Sequence, residues 1–136
     1  MTKYNAYSYL GTVDNKTELD AIDDAAVVNW GGSWRMPTDA EQTELRNNCT
    51  WTWTSQNGVN GYNVTSKSNG NSIFLPAAGY YLDSSFHNAG IYGLYWSSSL
   101  DTNSQGSAWR VNFGSFYVDG GSYPRDSGLS VRPVCP

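Results

Sequence analysis

The sequence predicts an α+β domain in which two helices precede a series of short antiparallel strands joined by long loops. Two segments in the first third of the chain have the apolar spacing of helices, and the helical period disappears after Cys49. The rest of the chain alternates apolar and polar residues in short runs and is rich in Gly, Ser, Asn and Thr. Helices segregated from strands along the chain are typical of the α+β class.

The first predicted helix covers residues 18–30, ELDAIDDAAVVNW. Its apolar residues recur near helical spacing, and its acidic residues crowd the first turns, where the helix dipole favours them. Thr17 is the expected N-cap, and Gly31 is expected to end the helix. Residues 1–17 are polar and aromatic, which indicates an irregular lead-in or an edge strand.

The second predicted helix begins at Thr38 and runs through TDAEQTELRNNC. Thr38 and Glu41 have the S/T-x-x-E spacing of a capping box, in which each side chain accepts a hydrogen bond from the other residue's backbone N–H group. Pro37 marks the boundary ahead of the helix. The sequence therefore places the start of this helix at a defined residue.

Strand patterns fill the remainder of the chain. CTWTWT alternates as a strand does, and residues 57–77 have the pattern of two strands joined by an Asn-Gly turn. YWSSSL, SAWRVNF and the closing LSVRPV are further predicted strands, the last of them buried. Residues 79–93 are predicted to be mostly loop, and residues 114–127 are predicted to be irregular because they show no clean hydrophobic period.

Length and charge narrow the possible functions. A chain of 136 residues fits one domain, and its six Trp, ten Tyr and four Phe residues are aromatic core anchors that disordered chains lack. The net charge of −4 and the scattered Lys and Arg residues argue against nucleic acid as a partner. No apolar run is long enough to span a membrane. The first ten residues lack the apolar segment of a signal peptide, so an export signal is expected to lie outside this sequence.

Four motifs along the chain carry a resemblance to a known family. They are GGSWRMPTDAE, NGNSIFLPAAGY, a G-x-x-G-x-YWSSS pattern over residues 90–99 and the closing GLSVRPV. In this order they resemble the Fibrobacter succinogenes major paralogous domain, and the resemblance covers residues 23–134. It implies a C-type-lectin-like fold for a single ligand-binding domain over residues 1–136, either complete or the C-terminal part of a longer surface protein.

The family resemblance also implies a function. Similar domains are abundant in surface proteins of gut Bacteroidetes, and some serve as variable proteins of diversity-generating retroelements, phage tropism determinants among them. In those systems error-prone reverse transcription rewrites adenines in a C-terminal segment, so that Asn codons become codons for Asn, Tyr, Ser, Asp, Gly and others. Residues 101–127 have that composition, with Trp109, Val111 and Phe113 interleaved as expected scaffold positions.

By this resemblance the chain is expected to be a ligand-binding or receptor-recognition module that displays a diversified C-terminal surface. Tyr117, Tyr123 and Phe116 would be aromatic anchors, and Arg110 and Arg125 would pair with acidic groups of the partner. The expected partner is a protein or glycan on another cell's surface. The expected location is extracellular, at the cell surface or on a phage particle. The expected ligand-binding residues are Asp101, Asn103, Ser104, Gln105, Ser107, Arg110, Asn112, Ser115, Phe116, Tyr117, Asp119, Ser122, Tyr123, Arg125 and Asp126.

No catalytic site, metal site or cofactor is expected. DTNSQG at residues 101–106 opens like a calcium loop, but Asn112 stands at the twelfth position, where a bidentate Glu is needed, so a polar turn is preferred. His87 is the only histidine, and no Cys or His cluster or G-x-S-x-G motif accompanies it. The EPN and WND tripeptides that mark calcium-dependent sugar binding in C-type lectins are absent.

Other polar and aromatic residues are assigned structural roles. Asp23 and Asp24 are predicted to be solvated charges on a helix face. Arg35 and Arg132 belong to the motifs RMP and VRP, and each is expected to hold a loop by pairing with backbone carbonyls or a carboxylate. The tryptophans are predicted to be mainly buried: Trp30, Trp34, Trp51, Trp53, Trp96 and Trp109.

Two alternatives to a diversified binding module stay open. The first is a structural or adhesive domain of a bacterial surface protein or pilus, in which residues 101–127 are tolerant loops. The second is a calcium-independent carbohydrate-binding module that uses Trp53 or Trp109 as a stacking platform. Cys49 and Cys135 either close a long loop as a disulfide or remain two separate thiols.

Overall fold

The computed structural model describes residues 1–136 and shows two helices followed by three antiparallel sheets, which confirms the predicted α+β class. A 3-10 turn at Ser8–Leu10 precedes helices α1, Ala25–Trp30, and α2, Asp39–Asn48. No helix has the length and apolar character needed to cross a membrane. The strands are β1 Cys49–Gln56, β2 Val59–Ser66, β3 Ser72–Pro76, β4 Tyr80–Leu82, β5 Ser85–His87, β6 Gly93–Leu100, β7 Ser107–Gly114 and β8 Tyr117–Pro124.

Helix α1 is shorter than predicted, because its N-cap is Asp24 and not Thr17. The Asp24 carboxylate accepts hydrogen bonds from two N–H groups of the first turn at 2.8 and 3.0 Å. Its other oxygen accepts from the Met36 N–H at 2.9 Å, so Asp24 is buried and not solvated. Glu18 is held away from the helix because it forms a bridge to β6 and accepts hydrogen bonds from two serine hydroxyls there. Gly31 caps the C-terminal end as predicted, with a φ of 66°.

The segment ahead of α1 is an irregular lead-in held by polar contacts. Asn5 is fully buried and donates from its amide to two backbone carbonyls of the segment at 2.9 and 3.1 Å. Asp14 accepts from the backbone N–H groups of Asn5, Tyr4 and Lys16, and these three hydrogen bonds lower its pKa. Asp23 lies before α1, where it pairs with Lys3 at 2.7 Å, so the prediction of a solvated helix charge was wrong for this residue too.

Helix α2 begins as predicted. The Thr38 hydroxyl accepts from the Glu41 N–H at 3.2 Å, and the Glu41 carboxylate accepts from the Thr38 N–H at 2.9 Å, which completes the capping box. Arg35 donates to both oxygens of the same carboxylate at 2.7 and 2.6 Å, which confirms its predicted role. Arg132 does not share that role, because it is exposed and pairs with no carboxylate.

Strands β1, β2 and β3 form a three-stranded antiparallel sheet, as their sequence patterns predict. The turn between β1 and β2 is Asn57-Gly58, with φ values of 52° and 79°. A type I′ turn requires positive φ at both central residues, and Asn-Gly is the pair that adopts it most readily. The connection from β2 to β3 contains another Asn-Gly pair of the segment, Asn69-Gly70.

A short hairpin made of β4 and β5 lies within residues 79–93, which the sequence predicts to be mostly loop. Each strand has three residues, too few for a visible alternation of apolar and polar side chains. The backbone N–H and C=O of Tyr81 both bond to Gly128, at 2.8 and 2.9 Å. These bonds fix the hairpin against the segment that follows β8.

Strands β6, β7 and β8 form the second three-stranded sheet, and its third strand corrects the prediction for residues 114–127. The predicted strands YWSSSL and SAWRVNF are present as β6 and β7. The supposedly irregular stretch is the regular strand β8, which pairs with β7 from Ser107↔Pro124 to Gly114↔Tyr117. Backbone hydrogen bonds hold such a strand when its neighbour is in place, whatever side chains its outward face carries.

The closing LSVRPV is not the buried strand that the sequence predicts. Only Ser130 and Val134 form bridges, with Tyr95 and Arg35 respectively, and no residue from 129 to 134 is buried. Pro133 has no N–H group to donate to a sheet ladder, so a continuous strand is interrupted there.

The main core lies between the β1–β3 sheet and the inward face of the β6–β8 sheet. Phe113 is completely buried at its centre, with ring centroids 5.3 Å from Tyr62 and 5.9 Å from Tyr95. Gly93 stands directly opposite Phe113 in the β6–β7 register, and a Cβ atom at Gly93 would overlap the phenyl ring. The buried cluster consists of Tyr62, Val64, Leu75, Ala77, Tyr95, Val111 and Phe113.

Replacing Gly93 with Ala is expected to destabilise the fold by about 2–3 kcal/mol, because the new methyl group needs space that the fixed ring of Phe113 occupies. Gly106→Ala is the matched control, since nothing lies within 4 Å of a Cβ atom at Gly106 and neither glycine has a positive φ. Urea unfolding measures both variants. Equal stability of the two would contradict the packing described.

Replacing Glu41 with Gln is expected to lower stability at neutral pH only. The pKa of Glu41 is lowered from 4.5 to about 2, mainly by the hydrogen bonds from Arg35. The hydrogen bond from the Thr38 N–H lowers it further. A carboxylate with a lowered folded-state pKa stabilises the fold above its unfolded-state pKa and loses that contribution as pH falls toward the folded-state value. Both side chains are more than a third exposed, so the difference at pH 7 should be only about 0.5–1 kcal/mol.

The measurement is urea unfolding of the wild type and Glu41→Gln between pH 7 and pH 2. Their stability difference should shrink below about pH 4.5 and disappear near pH 2. Glu44→Gln is the control, because Glu44 forms no ion pair. A Glu41→Gln difference that stays constant down to pH 2 would show that the ion pair does not stabilise the fold.

Candidate functional site

The outward face of the β6–β8 sheet carries many of the polar and aromatic residues that the sequence assigns to binding. Side chains alternate between the faces of a strand, and directly paired residues share a face. Because Val111 and Phe113 point into the core, Arg110 and Asn112 point outward. Hairpin β4–β5 borders the same face. We define the binding face as Arg110 and Asn112 of β7, Tyr117, Asp119, Gly121 and Tyr123 of β8, Tyr80 and His87 of the hairpin, and Phe116 of the β7–β8 turn.

Arg110 lies at the centre of the binding face and has no carboxylate partner. Its Nη1 donates to Asn112 Oδ1 at 2.6 Å, while its Nε–H is buried without an acceptor. Asp119 shares the face but forms no ion pair with Arg110, and its carboxylate accepts instead from the Gly120 N–H at 2.8 Å. Burial lowers the pKa of Arg110, so the guanidinium is a partly desolvated cation.

Aromatic rings surround this cation in fixed orientations. The Arg110 guanidinium lies 5.3 Å from the ring centroid of Tyr123, within the range of a cation–π interaction. The Tyr80 ring meets Tyr123 edge-on, with centroids 6.3 Å apart, and it stacks on His87 at 5.6 Å. The Asn88 amide donates to the Tyr80 hydroxyl at 3.3 Å. These contacts hold the rings in place before any ligand arrives, which lowers the entropy cost of binding.

The β7–β8 turn places a large apolar side chain in solvent. Phe116 is 97% exposed, and it follows Ser115 at the tip of the hairpin. The next residue, Tyr117, packs against Tyr92 with ring centroids 6.3 Å apart, and it is still 43% exposed. Burial raises the pKa of Tyr117. A phenyl ring this exposed does not stabilise the core and is available to a partner.

Several predicted ligand-binding residues lie away from the binding face, in the turn between β6 and β7. Asp101 is buried, and its carboxylate accepts from the Asn103 N–H at 2.9 Å. Ser104 and Gln105 belong to the same turn, and the side-chain oxygen Oε1 of Gln105 accepts from a backbone N–H of the N-terminal segment at 2.8 Å. The prediction that DTNSQG, residues 101–106, forms a polar turn is confirmed. This turn and Phe116 lie at opposite ends of β7, roughly 23 Å apart along the strand.

Other predicted residues are also separated from Arg110. Ser107 and Ser122 alternate onto the inward face of the sheet. Arg125 donates to a backbone carbonyl of the N-terminal segment at 3.4 Å. Ser115 and Asp126 are exposed, but they lie beyond opposite ends of β8. The predicted ligand-binding residues therefore follow one another along the chain but do not form one surface. Only those on the outward face of β7 and β8 and in the turn between these strands lie together.

The binding face also includes residues that sequence reasoning missed. Tyr80 and His87 come from residues 79–93, which the sequence predicts to be mostly loop, and Tyr92 of the same stretch packs against Tyr117. The signal for them was the density of aromatic residues in a loop-rich stretch, GYYLDSSFHNAGIYG. His87 is half-buried on β5, stacked on Tyr80.

The tryptophans divide into two groups. Trp53 is partly buried and packs edge-on against Tyr62 at 5.1 Å, and Trp51, Trp96 and Trp109 are also partly buried. Trp30 and Trp34 are 60% and 38% exposed and meet edge-on at 5.1 Å, so the prediction of burial was wrong for this pair. Cys49 and Cys135 are free thiols. No group of three or more His, Cys, Asp or Glu side chains is arranged to hold a metal ion.

Comparison with known proteins gives one match. A family model described as a domain of unknown function, DUF8237, matches residues 50–134. No curated protein and no solved structure matches the chain. The matched region begins in β1 and contains the whole binding face. Because the match spans more than half of the chain, the protein belongs to the DUF8237 family.

Proposed function

We propose that this protein is a ligand-binding module, built on a C-type-lectin-like scaffold, which displays a diversified C-terminal surface as the variable protein of a diversity-generating retroelement. It would act at a cell surface, outside the cell or on a phage particle, and recognise a protein or glycan on another cell. The single observation that best supports this function is the exposed set of aromatic and polar side chains on the binding face.

The contacts of β7 and β8 support a division between scaffold and display. The inward side chains Val111 and Phe113 belong to the buried core. The outward polar side chains bond mainly to one another, as Arg110 does with Asn112 and Asn112 with the Tyr117 hydroxyl at 3.5 Å. The outward residues of the binding face can therefore change without removing contacts of the main core, because the backbone ladder of the sheet holds the strands. That is the property a diversified surface requires.

The composition of the binding face also suits recognition. Tyr and Arg are enriched among the residues that dominate binding energy at interfaces, and rigid aromatic rings lose little conformational entropy on binding. Phe116 and Tyr117 are exposed at the turn, and Tyr123 is packed at the centre. The same types of residue form the binding loops of antibodies.

A variant that removes the aromatic rings should lose binding while staying folded. The triple variant Phe116→Ser, Tyr117→Ser and Tyr123→Ser is expected to reduce affinity at least ~10-fold for any partner found in a screen of surface proteins and glycans. The matched control is a second triple variant, Tyr9→Ser, Ile22→Ser and Val28→Ser. These three residues are 79%, 75% and 61% exposed, respectively, elsewhere on the surface. Equal loss of affinity in the control variant would place the binding surface elsewhere.

The genome around the gene separates a diversified module from a structural or adhesive domain with no diversified site. Diversification predicts a nearby reverse transcriptase and a near-identical template repeat that differs from the codons of residues 101–127 at adenines. The substituted codons should encode outward positions such as Asn112, Tyr117 and Tyr123, and should leave those for Val111 and Phe113 unchanged. A locus without a reverse transcriptase would support the structural alternative.

A calcium-independent carbohydrate-binding module is the second candidate, and one observation favours it. Trp30 and Trp34 form an exposed aromatic pair beside α1, a more accessible stacking platform than the partly buried Trp53 and Trp109. The glycan arm of the screen tests it. This second function would be supported if Trp30→Ala no longer bound the glycan while the Phe116, Tyr117 and Tyr123 triple variant still bound it.

A further inference from the structure

We infer that the binding face recognises a protein partner through a carboxylate of that partner, which Arg110 binds, while Phe116 enters an apolar pocket of the same partner. This inference rests on the proposed function, because it names the chemistry of the ligand that the binding face takes. Three features of the structure carry it: a guanidinium without a carboxylate partner, a glycine beside that guanidinium on the next strand, and the almost fully exposed ring of Phe116 on the same face.

The Arg110 guanidinium has donors left for a ligand. Of its five N–H donors, the protein uses one, from Nη1 to Asn112. Nε is shut off from solvent, whereas Nη2 has no acceptor in the protein and is not enclosed. A carboxylate accepts two parallel N–H bonds from a guanidinium and supplies the countercharge that Arg110 lacks. Among unmodified protein side chains, only those of Asp and Glu satisfy both the geometry and the charge of this residue.

The neighbour of Arg110 on β8 is a glycine, so no side chain from that strand stands beside the guanidinium. Gly121 pairs directly with Arg110, and a Cβ atom at Gly121 would lie 3.7 Å from Nη1. A larger side chain there would cover the guanidinium. Trp96 of β6 is the other direct neighbour of Arg110, and Tyr123 lies 5.3 Å from the guanidinium.

A second arginine on the other side of β8 shows what distinguishes Arg110. Arg46 of α2 also has a buried Nε–H without an acceptor and no carboxylate partner. Its guanidinium lies against Gly120, on the inward face, where α2 packs on the sheet. Arg46 therefore lies on the opposite side of the sheet from the binding face, whereas Arg110 lies on the outward face. Arg46 is therefore the natural control for Arg110.

The ring geometry favours an acidic peptide segment over an acidic sugar. A sugar ring stacks on a flat aromatic face, but Arg110 lies over one face of the Tyr123 ring and His87 lies against one face of the Tyr80 ring. The one ring free on both faces is Phe116, at the tip of the turn. Arg110 lies four residues before the end of β7, about 14 Å along the strand from the turn. Two anchors at that separation fit a protein surface with an acidic group and a nearby apolar pocket.

The test uses the whole chain and two probes. The first is a phage-displayed library of random 12-residue peptides fused at their C-termini, so that every peptide carboxylate belongs to Asp or Glu. The second is an array of neutral and acidic glycans. Wild-type protein is expected to select peptides that share an acidic residue, and replacing that residue with Asn or Gln should weaken binding 10- to 100-fold, as for the loss of a charge-assisted hydrogen bond.

Variants of the protein should reproduce that loss. Arg110→Gln is expected to weaken binding of the selected peptides 10- to 100-fold. Arg110→Lys should keep only part of the wild-type affinity, because an ammonium cannot bind a carboxylate through two parallel bonds. Gly121→Val should also weaken binding, since it covers the guanidinium without removing the charge. Arg46→Gln should stay within about twofold of wild type. Urea unfolding verifies that each variant is folded.

The outcomes separate this inference from the proposed function. One outcome would overturn the carboxylate inference and leave the proposed function standing. In that outcome the selected peptides share no acidic residue and bind Arg110→Gln as well as wild type, but they do not bind the Phe116, Tyr117 and Tyr123 triple variant. Binding of acidic glycans without any peptide binder would overturn the choice of a protein partner. If no peptide or glycan is found whose binding depends on Arg110 or on the three aromatic residues, that result would count against both the carboxylate inference and the proposed function.

Discussion

The burial of Phe113 between two sheets is the contact on which the arrangement of this protein depends. Its ring packs against Tyr62 from the first sheet and Tyr95 from its own, and Gly93 leaves room for it on the neighbouring strand. Both tyrosine hydroxyls are satisfied, because Tyr62 donates to the Gly114 carbonyl at 2.9 Å and Tyr95 to the Pro76 carbonyl at 2.7 Å. Desolvation raises the pKa of Tyr95 to about 12, so it stays a neutral donor. Polar and apolar contacts therefore join the two sheets at the same point.

That contact decides which side chains can meet a partner. Once Phe113 points inward, strand alternation turns Arg110 and Asn112 outward over the whole length of β7. The N-terminal segment covers the other half of the outward face, where Tyr4 packs with Leu100 and Ala108. The half that carries Arg110 is left open. A cavity of about 320 Å³ remains under the covered half, lined mainly by apolar residues such as Leu19, Met36 and Trp96.

Charge is distributed differently in the scaffold and on the binding face. In the scaffold, Arg35 is held by both oxygens of Glu41, and Lys3 and Lys16 pair with aspartates. On the binding face Arg110 is partly desolvated and has no countercharge, an arrangement that lowers stability unless another interaction compensates. Functional surfaces commonly retain such groups, since an unsatisfied donor is what gives a ligand its preference. The contrast between Arg35 and Arg110 is the electrostatic basis of the proposed division between scaffold and display.

The sequence by itself determined the features whose interactions are local. The capping box of Thr38 and Glu41, the Asn-Gly turn between β2 and β3 and the alternation of β7 each arise within a few residues, and all three were predicted correctly. Only the tertiary structure decided the start of α1, because Asp24 is chosen as N-cap partly by its bond to the distant Met36. It also decided that β8 is a strand, since its side chains show no apolar period and its order comes from pairing with β7. The binding face joins β7 and β8 to Tyr80 and His87 of a separate hairpin, and a contact between distant segments leaves no periodic signal in the sequence.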